Sequence, residues 1–96
     1  MNLETSLDAI EAALDEGDFE AALRLARRAQ RDFPHEPEVH MVTGHVLWDS
    51  GDLRAAREAY RTAAGLAPQS CEALASLAWA HFALADFPAA ERAAEQ

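Results

Sequence analysis

Gly17-Asp18-Phe19-Glu20-Ala21-Ala22 returns as Gly51-Asp52-Leu53-Arg54-Ala55-Ala56 and again as Ala85-Asp86-Phe87-Pro88-Ala89-Ala90, each copy 34 residues after the last. A period between about 20 and 50 residues marks one supersecondary unit stacked on copies of itself, because a single unit cannot bury its own apolar face. Within the phrase, glycine accepts the left-handed backbone past a helix end, and aspartate caps the orphan N–H groups of the helix that follows. Asp18, Asp52 and Asp86 are therefore the expected N-caps, and each unit reads as two helices around a tight turn.

In register, the units run 3–36, 37–70 and 71–96, the last stopping short. Pro34 and Pro68 stand where a second helix has ended and the chain turns back. Pro37 falls one residue into the next helix, where its missing N–H costs nothing. Helices are expected over about 4–16, 19–32, 37–50, 53–66, 71–84 and 87–96. In the fourth, Leu53, Ala56, Ala59, Tyr60, Ala63 and Ala64 share one face, and Arg54, Arg57, Glu58 and Arg61 take the other. Ala22, Ala56 and Ala90 return in every copy, as expected where helices cross closely.

Composition supports an all-α chain of one domain. Of 96 residues half are apolar, alanine is about a quarter of the total, and glycine and proline number four each. The formal net charge is −9 and there is no lysine, which argues against nucleic acid, since a phosphate backbone needs clustered cations. A single cysteine, Cys71, suits a reducing compartment. Acid near the start, at Glu4, replaces the base of a secretory signal, and no apolar run approaches the roughly 20 residues of a membrane span. The expected location is cytoplasmic, without a membrane.

The chain resembles the tetratricopeptide repeat family over nearly its whole length, through its period, its paired helices, the Gly-Asp turns, the recurrent alanines and the closing prolines. Unit two carries the resemblance best, in Gly44, Leu47, Gly51, Asp52, Ala56, Tyr60, Ala63 and Pro68. Two departures stand out: Ser6, His40 and Leu74 sit where the family often has a large aromatic, and Ile10 replaces the small residue found at Gly44 and Ala78. The resemblance implies a right-handed α-solenoid of antiparallel helix pairs, about 2.8 repeats long.

Residues suited to chemistry are few. His35 and His40 are five apart with Pro37 between them, which is not the four-residue helical spacing of a zinc protease motif. His45 and Asp49 share a helix face, yet a structural zinc usually needs four ligands, so His45 reads as a groove histidine. His81 is expected to be a packed, hydrogen-bonded imidazole in an apolar stretch. Cys71 opens a helix, where a dipole lowers a thiol's pKa, although a plain small residue is the preferred reading. With no nucleophile elbow, phosphate loop or paired acid and base, no catalytic residue, metal or cofactor is expected.

In this family the first helix of each unit lines a concave face. The resemblance implies that Glu4, Leu7, Asp8, Glu11 and Asp15 lie on it in unit one, Glu38, Met41, Val42, His45, Trp48 and Asp49 in unit two, and Glu72, Ala75, Ser76, Trp79 and Phe82 in unit three. Its core candidates are Glu11, Glu38, Met41, His45, Trp48, Asp49, Glu72, Trp79 and Phe82. Trp48 ranks first among the rings, whereas Trp79 and Phe82 are divided between presenting a shelf and filling gaps between units. Family members that grip acidic chaperone tails use Lys, Arg and Asn; here Leu7, Glu11, Val42, Glu72 and Ser76 occupy those places, so that clamp is absent. Arg24, Arg27, Arg28, Arg31, Arg54, Arg57 and Arg61 sit on second helices. Spacings of four from Glu20 to Arg24, Arg28 to Asp32 and Arg54 to Glu58 suit exposed helix pairs.

The expected function is therefore non-catalytic capture of a basic and apolar peptide or helix in an acidic, aromatic groove. Two alternatives remain at this stage, an N-terminal regulatory or targeting arm of an enzyme lying beyond Gln96, and a secretion-type chaperone. Because the chain ends inside the sixth helix, it is expected either to be a piece of a longer protein or to dimerise end to end through Phe87, Ala90, Ala93 and Ala94.

Overall fold

Each tight turn of the chain closes one helix and opens the next with the same few residues. The computed structural model describes residues 2–86, which form five helices and no strand: α1 (Leu3–Asp15), α2 (Phe19–Asp32), α3 (Pro37–Asp49), α4 (Leu53–Leu66) and α5 (Cys71–Asp86). Gly17 and Gly51 have φ of 74° and 93°, the left-handed angles that end α1 and α3. One residue on, the Asp18 N–H reaches back to Ala13 O and the Asp52 N–H to Leu47 O, both at 2.9 Å. The same aspartates then turn their carboxylates forward. Asp18 accepts from the Ala21 N–H and Asp52 from the Ala55 N–H, each at 3.1 Å, so the expected caps form.

The other three starts use different chemistry. Asn2 caps α1 through Thr5 N–H at 2.8 Å, and Ser70 caps α5 through Ala73 N–H at 3.2 Å. Glu36 precedes α3 without a side-chain cap; Pro37 at the first turn removes one orphan donor instead. Helix limits agree with the expected ones to within two residues, the largest difference being α5, which continues to Asp86. The sixth helix expected over 87–96, with Phe87, Ala90, Ala93 and Ala94, lies outside the described residues, and so does the cap expected of Asp86 for that helix.

The helices pack in sequence. α3 lies against α4 and α2 and also touches α1, while α5 lies against α4. Two apolar clusters result. One joins Ile10, Ala22, Ala26, Ala29, Val39 and Val46 from the first three helices. The other joins Met41, Leu47, Ala56, Tyr60, Ala63, Ala73 and Ala80 from the last three. Ala22, Ala26, Ala56 and Ala63 are fully buried, as close helix crossings require. Full burial of Ile10, Val39 and Val46 stabilises the fold by about 1.5–3 kcal/mol each.

Ile10, the departure noted in the sequence, has a packing reason. In unit two an added Cβ on Gly44 would sit closer than van der Waals contact to the Tyr60 ring, so only glycine admits that ring. In unit one the volumes are exchanged. Ile10, 34 residues before Gly44, is fully buried in one cluster with Ala26, 34 residues before Tyr60. Large on the first helix and small on the second, or the reverse, fills the same space.

His40 takes the place of an aromatic by the same logic of filling and satisfying. It is buried, and its Nε2–H donates to Pro34 O at 2.8 Å, which leaves Nδ1 to accept from the Gln30 amide at 3.2 Å. Both ring nitrogens are thereby committed to the junction between α2 and α3, which anchors the closing proline. On the outer helices Arg28 pairs with Asp32 at 3.9 Å, and Glu58 meets Arg61 at 3.3 Å. These exposed pairs contribute little, about 0–1 kcal/mol each.

Candidate functional site

Stacking places α1, α3 and α5 side by side, with a cleft between each neighbouring pair. The cleft between α1 and α3 holds a cavity of about 310 Å³ walled by Glu4, Asp8, Glu11 and Glu38, with Leu3 and Leu7 among them. Four carboxylates on two leucines make it acidic and shallowly apolar. Between the N-terminal ends of α3 and α5 a second cavity, of about 340 Å³, brings Glu36, Glu38 and Glu72 over Met41 and Ala73. Glu38 faces both, so the acidic strip is continuous along the three helices. Farther along the α3–α5 cleft the character changes. A cavity of about 220 Å³ is lined by His45, Trp48, Tyr60, Ser76 and Trp79.

The floor of that aromatic cavity is held rigidly. Tyr60 comes from α4, is 3% exposed, and its hydroxyl meets His45 Nδ1 at 2.9 Å. The two rings are edge to face, with centroids 5.5 Å apart. Burial, reinforced by the Asp49 carboxylate, pushes the Tyr60 pKa up to about 12, so the hydroxyl keeps its proton.

The expected site residues divide into three groups. Glu11, Glu38, Asp49 and Glu72 are exposed, and His45 is half-buried beside Tyr60. Trp79 and Phe82 are 64% and 58% exposed and stack edge to face with centroids 6.0 Å apart. Trp48 is half-buried against the second core cluster. Trp48 therefore does two things, packing against the core and lining the aromatic cavity, while Trp79 and Phe82 are the more exposed rings. Met41 is 6% exposed and belongs to the core, because α3 is flanked on both sides and the side chain reaches the cluster that contains Ala73, and it also lines the cavity below Glu38 and Glu72.

His81 is exposed rather than packed, and Cys71 is an exposed free thiol. Among the described residues no group of three or more His, Cys, Asp or Glu side chains gathers as a metal site, and no helix is long and apolar enough to cross a membrane. Tyr60 was read from the sequence as a core residue alone. The signal for its second role is Gly44, the missing side chain that lets a ring from α4 come forward between α3 and α5.

Among the described residues, a further cavity, of about 440 Å³, is lined by Ala75, Ala78, Trp79 and Phe82 of α5. Its register is informative. Ala78 corresponds to Gly44 after a shift of one period, and Gly44 is covered by α4. Part of this cavity is therefore the face that a following helix covers in unit two, and only the Trp79 edge is shared with the cleft.

Comparison with known families places the chain beside a repeat family. The model described as tetratricopeptide repeat matches residues 7–70 and 42–96. No curated protein matches the chain.

Proposed function

Because this chain belongs to the tetratricopeptide repeat family, we propose that it is a protein-interaction module whose concave face, made by α1, α3 and α5, takes a peptide or helix rich in basic and apolar side chains. Repeats of this kind bind protein partners and typically carry no chemistry of their own. The observation that carries the specificity is the segregation of charge. Glu4, Asp8, Glu11, Glu38 and Glu72 gather along the clefts with the presented rings, while Arg27, Arg28, Arg54, Arg57 and Arg61 belong to α2 and α4. A groove of one sign with apolar anchors favours a partner of the opposite sign and raises the encounter rate. Units 3–36, 37–70 and 71–96 are its proposed building blocks, and Glu11, Glu38, Met41, His45, Trp48, Asp49, Glu72, Trp79 and Phe82 its proposed contact set.

Fluorescence anisotropy with a labelled amphipathic peptide of leucine, alanine and arginine tests the reading. The arginine peptide is expected to bind and to weaken with added salt, and its glutamate-for-arginine counterpart to fail. Neutralising exposed groove carboxylates together, as Glu11→Gln, Glu38→Gln and Glu72→Gln, should lower affinity at least tenfold with helix content unchanged. Equal binding of the glutamate peptide, or no loss in the triple variant, would count against the groove.

A further inference from the structure

We infer that the aromatic cavity between α3 and α5 is a subsite for one basic side chain of the bound partner, with Tyr60 as its floor, Trp48 and Trp79 as its walls, and Asp49 beside it. The inference rests on the groove reading above and deepens it, since it says which part of the groove takes the charged residue and by what chemistry.

Three electron-rich rings from three different helices line the same space of about 220 Å³, with His45 and Ser76 completing it. The face of an aromatic ring carries negative potential, and indole attracts a cation most strongly of the three aromatic side chains. A guanidinium can also lie flat against indole while its N–H groups reach outward. Ser76 and His45 supply polar atoms to such groups, so a cation entering here exchanges water for rings without losing every hydrogen bond.

Charge selects the occupant. The field of Asp49 already reaches the floor, where it helps hold the Tyr60 hydroxyl in its protonated form. Among the described residues no arginine lines the cavity, and the chain has no lysine. With a net charge of −9, the protein offers a cation attraction at long range as well.

The neighbouring cleft shows that this arrangement is not a general consequence of the fold. One period earlier, Leu14, Ala26 and His45 stand where Trp48, Tyr60 and Trp79 stand here. That cleft therefore has carboxylates without a set of rings, and the subsite exists once among the described residues.

Only two tryptophans occur in the chain, so two indole N–H signals in a nitrogen-correlated NMR spectrum report on the two walls. The full chain is titrated with N-butylguanidinium and N-butylammonium, which copy the ends of arginine and lysine, and with N-butylurea, a neutral match for the first. Both charged probes should shift both indole signals saturably, with the tighter one naming the side chain preferred, and butylurea should bind at least tenfold more weakly. In Trp79→Leu, an exposed position whose change leaves helix content intact by circular dichroism, charged-probe affinity should fall at least tenfold. Equal response to butylurea, an absence of saturable shifts, or unchanged affinity in Trp79→Leu would overturn the subsite. The arginine peptide separates this failure from failure of the groove. If Trp79→Leu and peptides with a single citrulline at each arginine position in turn all leave its binding untouched, the subsite falls and the groove stands; if the peptide never binds, both fall.

Discussion

The two complete helix pairs, α1 with α2 and α3 with α4, share turns and caps almost atom for atom yet fill their interiors in opposite ways. Both pairs use a left-handed glycine, a back-directed aspartate N–H at 2.9 Å and a forward carboxylate cap at 3.1 Å. At the crossing, however, one pair places Ile10 with Ala26 and the other places Gly44 with Tyr60. Swapping bulk between partners keeps the density constant and changes what reaches the groove. Ile10 and Ala26 are both fully buried and neither is aromatic, so that crossing puts no ring into the groove, whereas Tyr60 extends past Gly44 to form the floor of an aromatic cavity. Packing and recognition are thus set by one exchange of volume.

The largest expected effect comes from breaking that exchange. Tyr60→Ala should cost about 3–5 kcal/mol by urea denaturation, the usual loss for a buried ring. Gly44→Ile alone should overpack against the ring and cost about 1–3 kcal/mol or more. Combined, the two changes copy the first pair, so their costs should be far from additive, with the double variant more stable than Tyr60→Ala. Additive costs would show that the two crossings are not equivalent spaces.

A smaller effect belongs to the second pair only. The folded Tyr60 pKa lies at about 12 against 10.0 for the free side chain. Since the folded value is raised, the protonated phenol is favoured in the native state; the associated stability is complete below pH 10 and is lost as pH rises from 10 toward 12. The loss should reach about 2–3 kcal/mol at most. As the chain has one tyrosine, absorbance near 295 nm follows it without overlap, and Tyr60→Phe should abolish this alkaline loss. Ionisation at the ordinary value would mean that the ring is less enclosed than its 3% exposure implies.

The smallest effect tests sameness. Asp18→Ala and Asp52→Ala each remove one cap of equal geometry, and each should cost about 1 kcal/mol in thermal or urea unfolding. A clear inequality would locate the weaker hairpin.

Much of the architecture was legible in the chain because it depends on local rules. The Gly-Asp steps place turns and caps wherever they occur, and the helix limits follow to within two residues. Acidic positions on α1, α3 and α5 were legible as well, since a carboxylate on a solvated helix face needs no partner to explain it. The rings were not. Met41, Leu7 and Ala75 occupy one register position, yet they are buried, half-buried and exposed in turn. Trp48 and Phe82 likewise share a register and differ, the first packed against the core and the second presented. Register states which way a side chain leaves its helix, while burial depends on whether another helix stands there.

From residues alone came the period, the all-helical pairing, the capped turns and the acidic character of the first helices, because each of these arises within a few residues of chain or from composition. Tertiary structure alone decided that Trp79, rather than Trp48, stands open, that Met41 is core, and that Tyr60 crosses from α4 to floor a cleft between α3 and α5. The physical reason is that burial is a property of neighbours brought together from distant parts of the chain, and the void that Gly44 leaves acquires meaning only when a ring on another helix enters it.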